Sequence, residues 1–473
     1  MERRSLLRPL AFATLTFGVV WCAMILRWRA LNRVPNGVDV ALCLVALPLG
    51  LLLGFVLLRR LIDAAKKRRK IATALTRETV VDDVMAPEDP SLAWQLSIFA
   101  ADALFAGGDA PDSLAEAARA SQRVDLHPAL RDQQGLPVFA ATVADVDTDT
   151  IEDSLPETMQ GWSESRKRTI ALAQMLVTRM LDEHFEPLHS AAVANASSAR
   201  ATAGPVLQLE WLLPARWSDA DRDLAQTWLV EQLAAQGWHA PALQVTAHGM
   251  HAGAAVLRRL DDLNRAFHGE RPPLPHLLLA SDSHVDESTV AEWSATQTLH
   301  GAGRPEGLVP GEGASAVLLA CTHPAGLPEL ARLHRMLAGQ RAKAVDSPGR
   351  LQADTFNELV GQALERAGVD AGATAYLVSD TDMRASRAAE AMHLAESALP
   401  ERDPIEVLLP LGVANGECGA ALTLATVAVA AHQAAGMQQP GLILSHHDAS
   451  LRAVAVVVPP PPAATTSTTP SLA

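Results

Sequence analysis

The sequence is poor in cysteine and in aromatic side chains. Among its 473 residues there are four cysteines, and Tyr376 is the single tyrosine. The cysteines, at positions 22, 43, 321 and 418, stand too far apart for a zinc motif or a disulfide framework, which fits a reducing compartment for the large domain. The net charge is −14 with histidine neutral, so the positive excess that nucleic-acid binding needs is missing. We therefore predict no nucleic-acid partner, no metal and no cofactor.

Two uncharged apolar runs stand near the N terminus, over residues 10–26 and 40–58. Each is close to the length that crosses a bilayer core of ~30 Å, so residues 1–72 are expected to form a transmembrane hairpin. A signal peptide is disfavoured because no small-residue cleavage site precedes Arg27 and the second run follows at once.

The basic residues predict the orientation of this hairpin. Seven follow the second run and three stand between the runs, so both termini and the large domain should be cytoplasmic at a bacterial inner membrane. The basic cluster at residues 66–70 can either bind anionic lipid or act only as a topology signal.

Beyond the hairpin, residues 73–90 are expected to be a linker and 459–473 a disordered Pro/Thr/Ser tail. The region between them alternates helical and strand patterns, which is typical of an α/β fold. The predicted helices cover 166–184, 219–236 (capped by Ser218) and 354–367, and the predicted strands cover 206–213, 277–280, 316–320, 374–378, 405–411, 443–445 and 453–458.

A glycine-rich stretch runs into one of these strands. Residues 307–320 read Gly-Leu-Val-Pro-Gly-Glu-Gly-Ala followed by apolar residues, so Gly311 and Gly313 predict a tight turn. This stretch resembles the G-F-V-P-G-E-G-A turn of the β-ketoacyl synthases, in the thiolase-like superfamily. The resemblance implies a five-layer αβαβα fold of two related halves, here 91–273 and 274–458, with Gly307 in the turn and Glu312 holding it by hydrogen bonds.

The catalytic cysteine of that family lies in a strand-to-helix elbow similar to T-A-C-T-S-G, about 65 residues before the turn. That offset falls on residues 245–254, Val-Thr-Ala-His-Gly-Met-His-Ala-Gly-Ala. Aligning Ala252 and Gly253 with the end of the motif puts Met250 at the nucleophile, and a slip of one or two residues puts Gly249 or His248 there. A thioether cannot form a thioester, and neither can glycine.

Both family histidines are also replaced. The N-A-H-G-T-S-T motif matches residues 378–383, with Ser379 at the histidine and Glu390 at a later glutamate. The G-H-x-x-G-A-A-G motif matches 412–419, with Val413 at the histidine. The scaffold glycines Gly412, Gly416 and Gly419 keep their spacing, so the pattern predicts a preserved fold without the catalytic set.

Another chemistry at the same pocket stays open. If the fold is correct, a metal or acid–base cluster could form there, although polar loop residues around an inactive pocket explain the same pattern. Cys418 is expected to be a small core residue. The candidates for this cluster are His248, His251, Asp380, Asp382, His446, His447 and Asp448.

Two functions follow as hypotheses. The first is a membrane-anchored, catalytically inactive scaffold, dimeric through a strand and a helix, that recruits proteins to an inner-membrane assembly. Type VI secretion is one such assembly, suggested by association and not by any motif. The second is an acyl-chain enzyme, or a chain-length-factor-like subunit that pairs with an active ketosynthase.

Overall fold

The structure is a computed structural model that describes residues 89–198, 207–238, 243–270, 274–321, 327–347 and 353–461, with three isolated residues near the N terminus. The chain divides into two compact units, Met1–Glu88 and Asp89–Ala473. The predicted membrane spans lie outside the described residues. Within those residues, one helix is long and apolar enough to cross a membrane, Gly419–Met437, and 78% of it is buried inside the protein.

Thirteen strands and eleven α-helices are described in the second unit. The strands are β1 (Gln95–Phe105), β2 (Leu126–Arg131), β3 (Pro137–Phe139), β4 (Leu207–Pro214), β5 (Leu243–Met250), β6 (His276–Ser283), β7 (Glu312–Ala320), β8 (Ala331–His334), β9 (Leu337–Gln340), β10 (Tyr376–Ser379), β11 (Leu408–Pro410), β12 (Gly441–Ser445) and β13 (Leu451–Val458). The helices are α1 (Pro111–Arg119), α2 (Thr148–Ser154), α3 (Glu164–Ser198), α4 (Asp219–Ala235), α5 (Ala254–Phe267), α6 (Glu287–Ala295), α7 (Asp354–Ala367), α8 (Ala385–Ala398), α9 (Pro404–Val407), α10 (Gly412–Asn415) and α11 (Gly419–Met437).

The main sheet repeats one strand order twice. Its sequence of neighbours is β11-β10-β12-β13-β8-β1-β7-β6-β4-β5, with β9 on β13. When the strands of each half are numbered in chain order and β9 is left out, both halves read third, second, fourth, fifth, first from the edge of the sheet to its centre. The two first strands, β1 and β8, pair antiparallel at that centre. The first half therefore includes β6 and β7, and the boundary between halves falls between β7 and β8. This corrects the predicted boundary at residues 273/274.

Helices cover both faces of the strands, with α5 and α11 in the middle. The central core joins α5 and α11 to strands of both halves. A second core lies under α3 and α4, on the first half, and a third lies under α7 and α8, on the second half. The layers are thus helix, strand, helix, strand, helix, which is the predicted order.

Most predicted elements are present with small shifts. The prediction for α7 is confirmed, and Ser218 caps α4 by accepting a hydrogen bond from the Asp221 amide at 3.1 Å. The strand predicted at 405–411 is wrong in its first part, because Asp403 accepts a hydrogen bond from the Ile405 amide at 2.9 Å and starts the short helix α9. Only β11 remains of that strand.

The glycines of the 307–320 stretch act by close approach and not by a special backbone angle. Neither Gly311 nor Gly313 has a positive φ. A Cβ on Gly311 would lie 2.0 Å from the Asn415 carbonyl oxygen, and one on Gly313 would lie 2.1 Å from the Phe105 ring. These contacts let β7 approach β1 and the start of α11.

Candidate functional site

Four chain segments converge beside the N terminus of α5: residues 250–253, 379–382, 412–419 and 445–450. The Gly253 amide donates to Thr423 Oγ1 at 2.8 Å. A Cβ on Gly253 would lie 3.1 Å from Ser445 Oγ and 3.6 Å from His447 Cβ. This convergence brings together the segments that the sequence matched to the catalytic motifs.

Met250 ends β5 at the predicted elbow. Its side chain is partly buried and packs against the central core. The helix that follows begins at Ala254, with Gly253 at its N-cap and a φ of 74°. The segment between β5 and α5 therefore has the strand-to-helix geometry of an elbow, and Met250, the residue predicted at the nucleophile position, is the last residue of its strand.

The strongest electrostatic feature of the site is an ion pair between His447 and Glu417. His447 Nε2 lies 2.5 Å from Glu417 Oε2. Burial opposes the charge of His447, but the Glu417 carboxylate outweighs it and raises the pKa of His447 to about 9. Burial also opposes the charge of Glu417, yet His447 holds the pKa of that carboxyl well below its usual range. The pair is charged at neutral pH.

A second histidine lies against the same glutamate. His284 is buried, and its Nδ1–H donates to the Glu417 carbonyl oxygen at 3.0 Å. Burial lowers the pKa of His284, so this imidazole is neutral at pH 7. Trp293 packs against its ring with centroids 5.0 Å apart. His284 therefore supports the Glu417 backbone and adds no charge.

Two arginine–aspartate pairs surround this histidine–glutamate pair. Arg384 Nε lies 2.8 Å from Asp382 Oδ2, and its Nη2 donates to the His447 carbonyl oxygen at 3.2 Å. Arg216 donates to Asp282 Oδ2 at 2.9 Å and to the Ser283 carbonyl oxygen, also at 2.9 Å. Asp382 and Asp282 are thus each matched by an arginine, which fixes these polar groups in place.

Ser379, at the first histidine position, lies fully buried at the end of β10. Its hydroxyl is 2.8 Å from His446 Nε2, which also contacts Thr381 Oγ1. On its other side, His446 Nδ1 is 3.4 Å from Glu390 Oε2. Ser379 thus belongs to a buried polar network and is not presented to a substrate.

The Glu390 carboxylate is the centre of that network. Arg452 Nε donates to it at 2.8 Å, and Arg341 also pairs with it. Burial opposes its charge, but His446 and Arg452 keep the pKa of Glu390 below its usual range. Asp380 accepts hydrogen bonds from Ser445 Oγ at 2.6 Å and from the His446 amide at 2.9 Å. These contacts hold the turn between β12 and β13.

Val413 lies within the short helix α10 and is partly exposed. The glycines around it bring segments close together. A Cβ on Gly412 would lie 2.7 Å from the Thr381 carbonyl oxygen, and Gly416 has a φ of 65° with its Cβ position 2.7 Å from the Val309 carbonyl oxygen. Both the angle and the space therefore require glycine at Gly416, and the same holds at Gly419, which has a φ of 57° and a Cβ position 2.2 Å from Asp282 Oδ2.

Glu312 joins three parts of the first half. Arg168 Nε donates to Glu312 Oε2 at 2.7 Å, the Val143 amide donates to Oε1 at 2.8 Å, and Ser283 Oγ donates to Oε2 at 2.9 Å. The side chain is fully buried. Its hydrogen bonds hold the start of β7 against the loop after β3 and the N-terminal part of α3.

The predicted histidine cluster is only partly assembled. His446 and His447 belong to the site, whereas His248 and His251 are exposed on and after β5. In the part of the chain that the structure describes, no group of three or more potential ligands could hold a metal ion. Burial, with Glu417 nearby, raises the pKa of the Cys418 thiol, so this cysteine is not an activated nucleophile.

Neither a protein-family model nor a curated protein sequence matches the chain. Solved structures do match. The oxazolomycin ketosynthase domain of Streptomyces albus JA3453 is 13% identical, with a TM-score of 0.52 over 78% of this chain and 75% of that one. The chain has a ketosynthase-like fold.

Two complexes give the same result. A type II polyketide synthase acyl-carrier protein in complex with its ketosynthase, bound to the hexaketide, matches at 12% identity and a TM-score of 0.51, over 78% of this chain and 100% of that one. A ketosynthase in complex with its chain length factor, from Xenorhabdus doucetiae, matches at 12% identity and a TM-score of 0.51, over 78% and 98%. The thiolase-like fold expected from the sequence is confirmed as a mixed α/β fold of this kind.

The sequence did not reveal the Glu417–His447 pair. One signal was available: Glu417 stands between Gly416 and Cys418, where the family motif has a small residue. A charged residue inside an otherwise small and apolar helix start indicates a buried partner. The identity of that partner could come only from the fold.

Proposed function

We propose that this protein is a catalytically inactive ketosynthase-like protein that works by binding partners. The observation that carries the proposal is Met250 at the elbow. Acyl transfer in this fold family needs a thiolate at that position. A thioether sulfur has no proton to lose, so it cannot become a thiolate and cannot form a neutral thioester with an acyl group.

The surroundings of the elbow support the same proposal. Ser379 is buried and bonded to His446, and Val413 offers no proton or hydrogen bond. His447 is held as a cation by Glu417, so it is a poor general base at neutral pH. The polar groups of the site thus stabilise one another.

The test is acylation of the whole chain by a carrier-protein thioester and by a coenzyme A thioester, followed by intact mass spectrometry. We expect no added acyl mass on the wild-type protein. The matched variant is Met250→Cys, which supplies a thiol at the elbow and reports whether a thioester reaches it. A stable acyl adduct on the wild type, or condensation of malonyl units by it, would refute inactivity and favour the acyl-chain enzyme.

For the partner, we propose a second ketosynthase-like subunit, either another copy or an active enzyme. One matching structure is of a ketosynthase in complex with its chain length factor. Here β5 is an eight-residue strand at one end of the sheet, while the opposite end is the three-residue β11. Among the described residues β5 has a strand neighbour on one side only, and an edge of that length can pair with another strand.

The partner test measures mass by light scattering after co-expression with an active ketosynthase. A complex of defined stoichiometry supports the chain-length-factor-like function, and a homodimer supports a scaffold. A strictly monomeric chain with and without that enzyme would contradict this choice of partner.

We further propose that the two N-terminal apolar runs anchor the protein in the bacterial inner membrane, with the large unit in the cytoplasm. Envelope-complex proteins, such as those of type VI secretion, are then candidate partners. A reporter fused after Ala473 should be active in the cytoplasm. Activity of a periplasmic reporter at the same position would overturn the orientation.

A further inference from the structure

A groove of about 910 Å³ opens on the first half of the fold, away from the site beside α5. It is bounded by the end of β1 with residues 106–109, by residues 143–151 and by the middle of α3. It is larger than two other cavities in the described part of the chain, of about 430 and 470 Å³.

The floor of this groove is apolar. Leu104, Val143 and Ile151 are buried beneath it, and Met175 lies over them on α3 with 40% of its surface exposed. A methionine side chain is flexible and polarisable, and it adapts to apolar groups of different shapes. The floor can therefore receive an apolar side chain from another molecule.

The rim is acidic. Asp109, Asp145 and Asp147 line the groove, are exposed, and take part in no ion pair among the described residues. The basic residue on the lining is Arg179, and Asp102 already pairs with it at 2.6 Å. Residues 145–157 contain no basic side chain and carry six carboxylates, of which Glu152 pairs with Lys167 at 2.6 Å; the others are Asp145, Asp147, Asp149, Asp153 and Glu157.

We propose that this groove binds a lysine- or arginine-rich segment of a partner protein, which places an apolar side chain against Met175 and its charges on the rim. The inference deepens the partner-binding function proposed above by giving the chemistry of the partner. An acidic carrier surface or a nucleic acid would be repelled by the same carboxylates.

The test measures binding of a fluorescent peptide of alternating lysine and leucine to the full chain by anisotropy. Control peptides carry glutamate in place of lysine or serine in place of leucine. The rim variant is Asp109→Asn with Asp145→Asn, which leaves the helix cap Asp147 in place, and asparagine tolerates the φ of 59° at position 145. The matched control is Glu358→Gln with Glu365→Gln, two exposed carboxylates of α7 with the same change of charge.

We expect the lysine–leucine peptide to bind the wild-type chain. Its affinity should fall about fivefold in the rim variant, because two exposed charge contacts are lost, and should change less than twofold in the control. Met175→Ala should lower the affinity for the lysine–leucine peptide but not for the lysine–serine peptide. The proposal would be overturned if the affinity fell equally in the rim variant and the control, or if it changed neither in the rim variant nor in Met175→Ala. Acyl transfer by the wild type would refute inactivity alone and leave this result standing.

Discussion

Replacing Glu417 with glutamine should remove a pH dependence that the His447–Glu417 pair builds into the fold. Glutamine keeps the oxygen that accepts the Gly419 amide at 3.0 Å but loses the charge. The pair raises the pKa of His447 from 6.5 to about 9. A difference of that size corresponds to about 3 kcal/mol of stability at about 1.4 kcal/mol per pKa unit.

The sign of the effect follows from where the proton is bound. Below pH 6.5 both the folded and the unfolded chain carry it, so the pair stabilises the fold fully. Between pH 6.5 and about 9 the unfolded chain has lost the proton and the folded chain keeps it, so the free energy of unfolding falls; above about pH 9 the contribution is gone. In Glu417→Gln, burial and Arg384 lower the pKa of His447 and Asp380 raises it by less than Glu417 does in the wild type, so this fall should be largely lost.

The assay is urea unfolding of the full chain, followed by tryptophan fluorescence at half-unit steps from pH 6 to 9.5. The control is Glu358→Gln, an exposed carboxylate on α7 that should keep the wild-type slope. The double variant Glu417→Gln with His447→Gln should resemble Glu417→Gln across the alkaline range. If wild type and Glu417→Gln lose stability in parallel above pH 6.5, the pair does not hold the proton and this reasoning fails.

Three other perturbations follow from the packing. Gly311→Ala places a Cβ 2.0 Å from the Asn415 carbonyl oxygen and should cost about 3 kcal/mol in the free energy of unfolding; an unchanged urea midpoint would contradict the close approach. Glu312→Gln leaves its arginine partner uncompensated and should also cost about 3 kcal/mol, whereas Glu358→Gln should cost less than about 0.5 kcal/mol. In peptide mapping after brief iodoacetamide treatment of the native chain, Cys321 should be alkylated and the buried Cys418 should not; equal labelling of both would show that the α11 start opens.

The helices were predictable because their signals are local. α7 has apolar positions at helical spacing, and α4 begins at a serine cap with an aspartate three residues later. β1 was not predicted, although it lies at the centre of the whole sheet, between β7 and β8. Its sequence, Gln-Leu-Ser-Ile-Phe-Ala-Ala-Asp-Ala-Leu-Phe, contains one β-branched residue and is covered on both faces, so it lacks the alternation that identifies a half-buried strand.

The candidate site, like the fold, was predictable where the sequence signal is local and not where distant residues meet. Motif spacing brought Met250 to the elbow and Ser379 and Val413 to the neighbouring segments. The glycine-rich sequence predicted the wrong role for Gly311, which serves close approach and not a special backbone angle. The two roles cannot be told apart in sequence, because both require glycine. Glu417 and His447 are 30 residues apart and meet only after α11 and β12 have packed, so no local pattern could pair them.

The repeated strand order of the two halves has an evolutionary meaning. A sheet that reads third, second, fourth, fifth, first on both sides of its centre is what a duplicated ancestral domain leaves behind. In each copy the third strand, β5 or β11, leads into a helix through a short turn, with Met250 at the end of the strand before one turn and Val413 in the helix after the other. The same corner of the repeated architecture thus carries an apolar side chain in both halves.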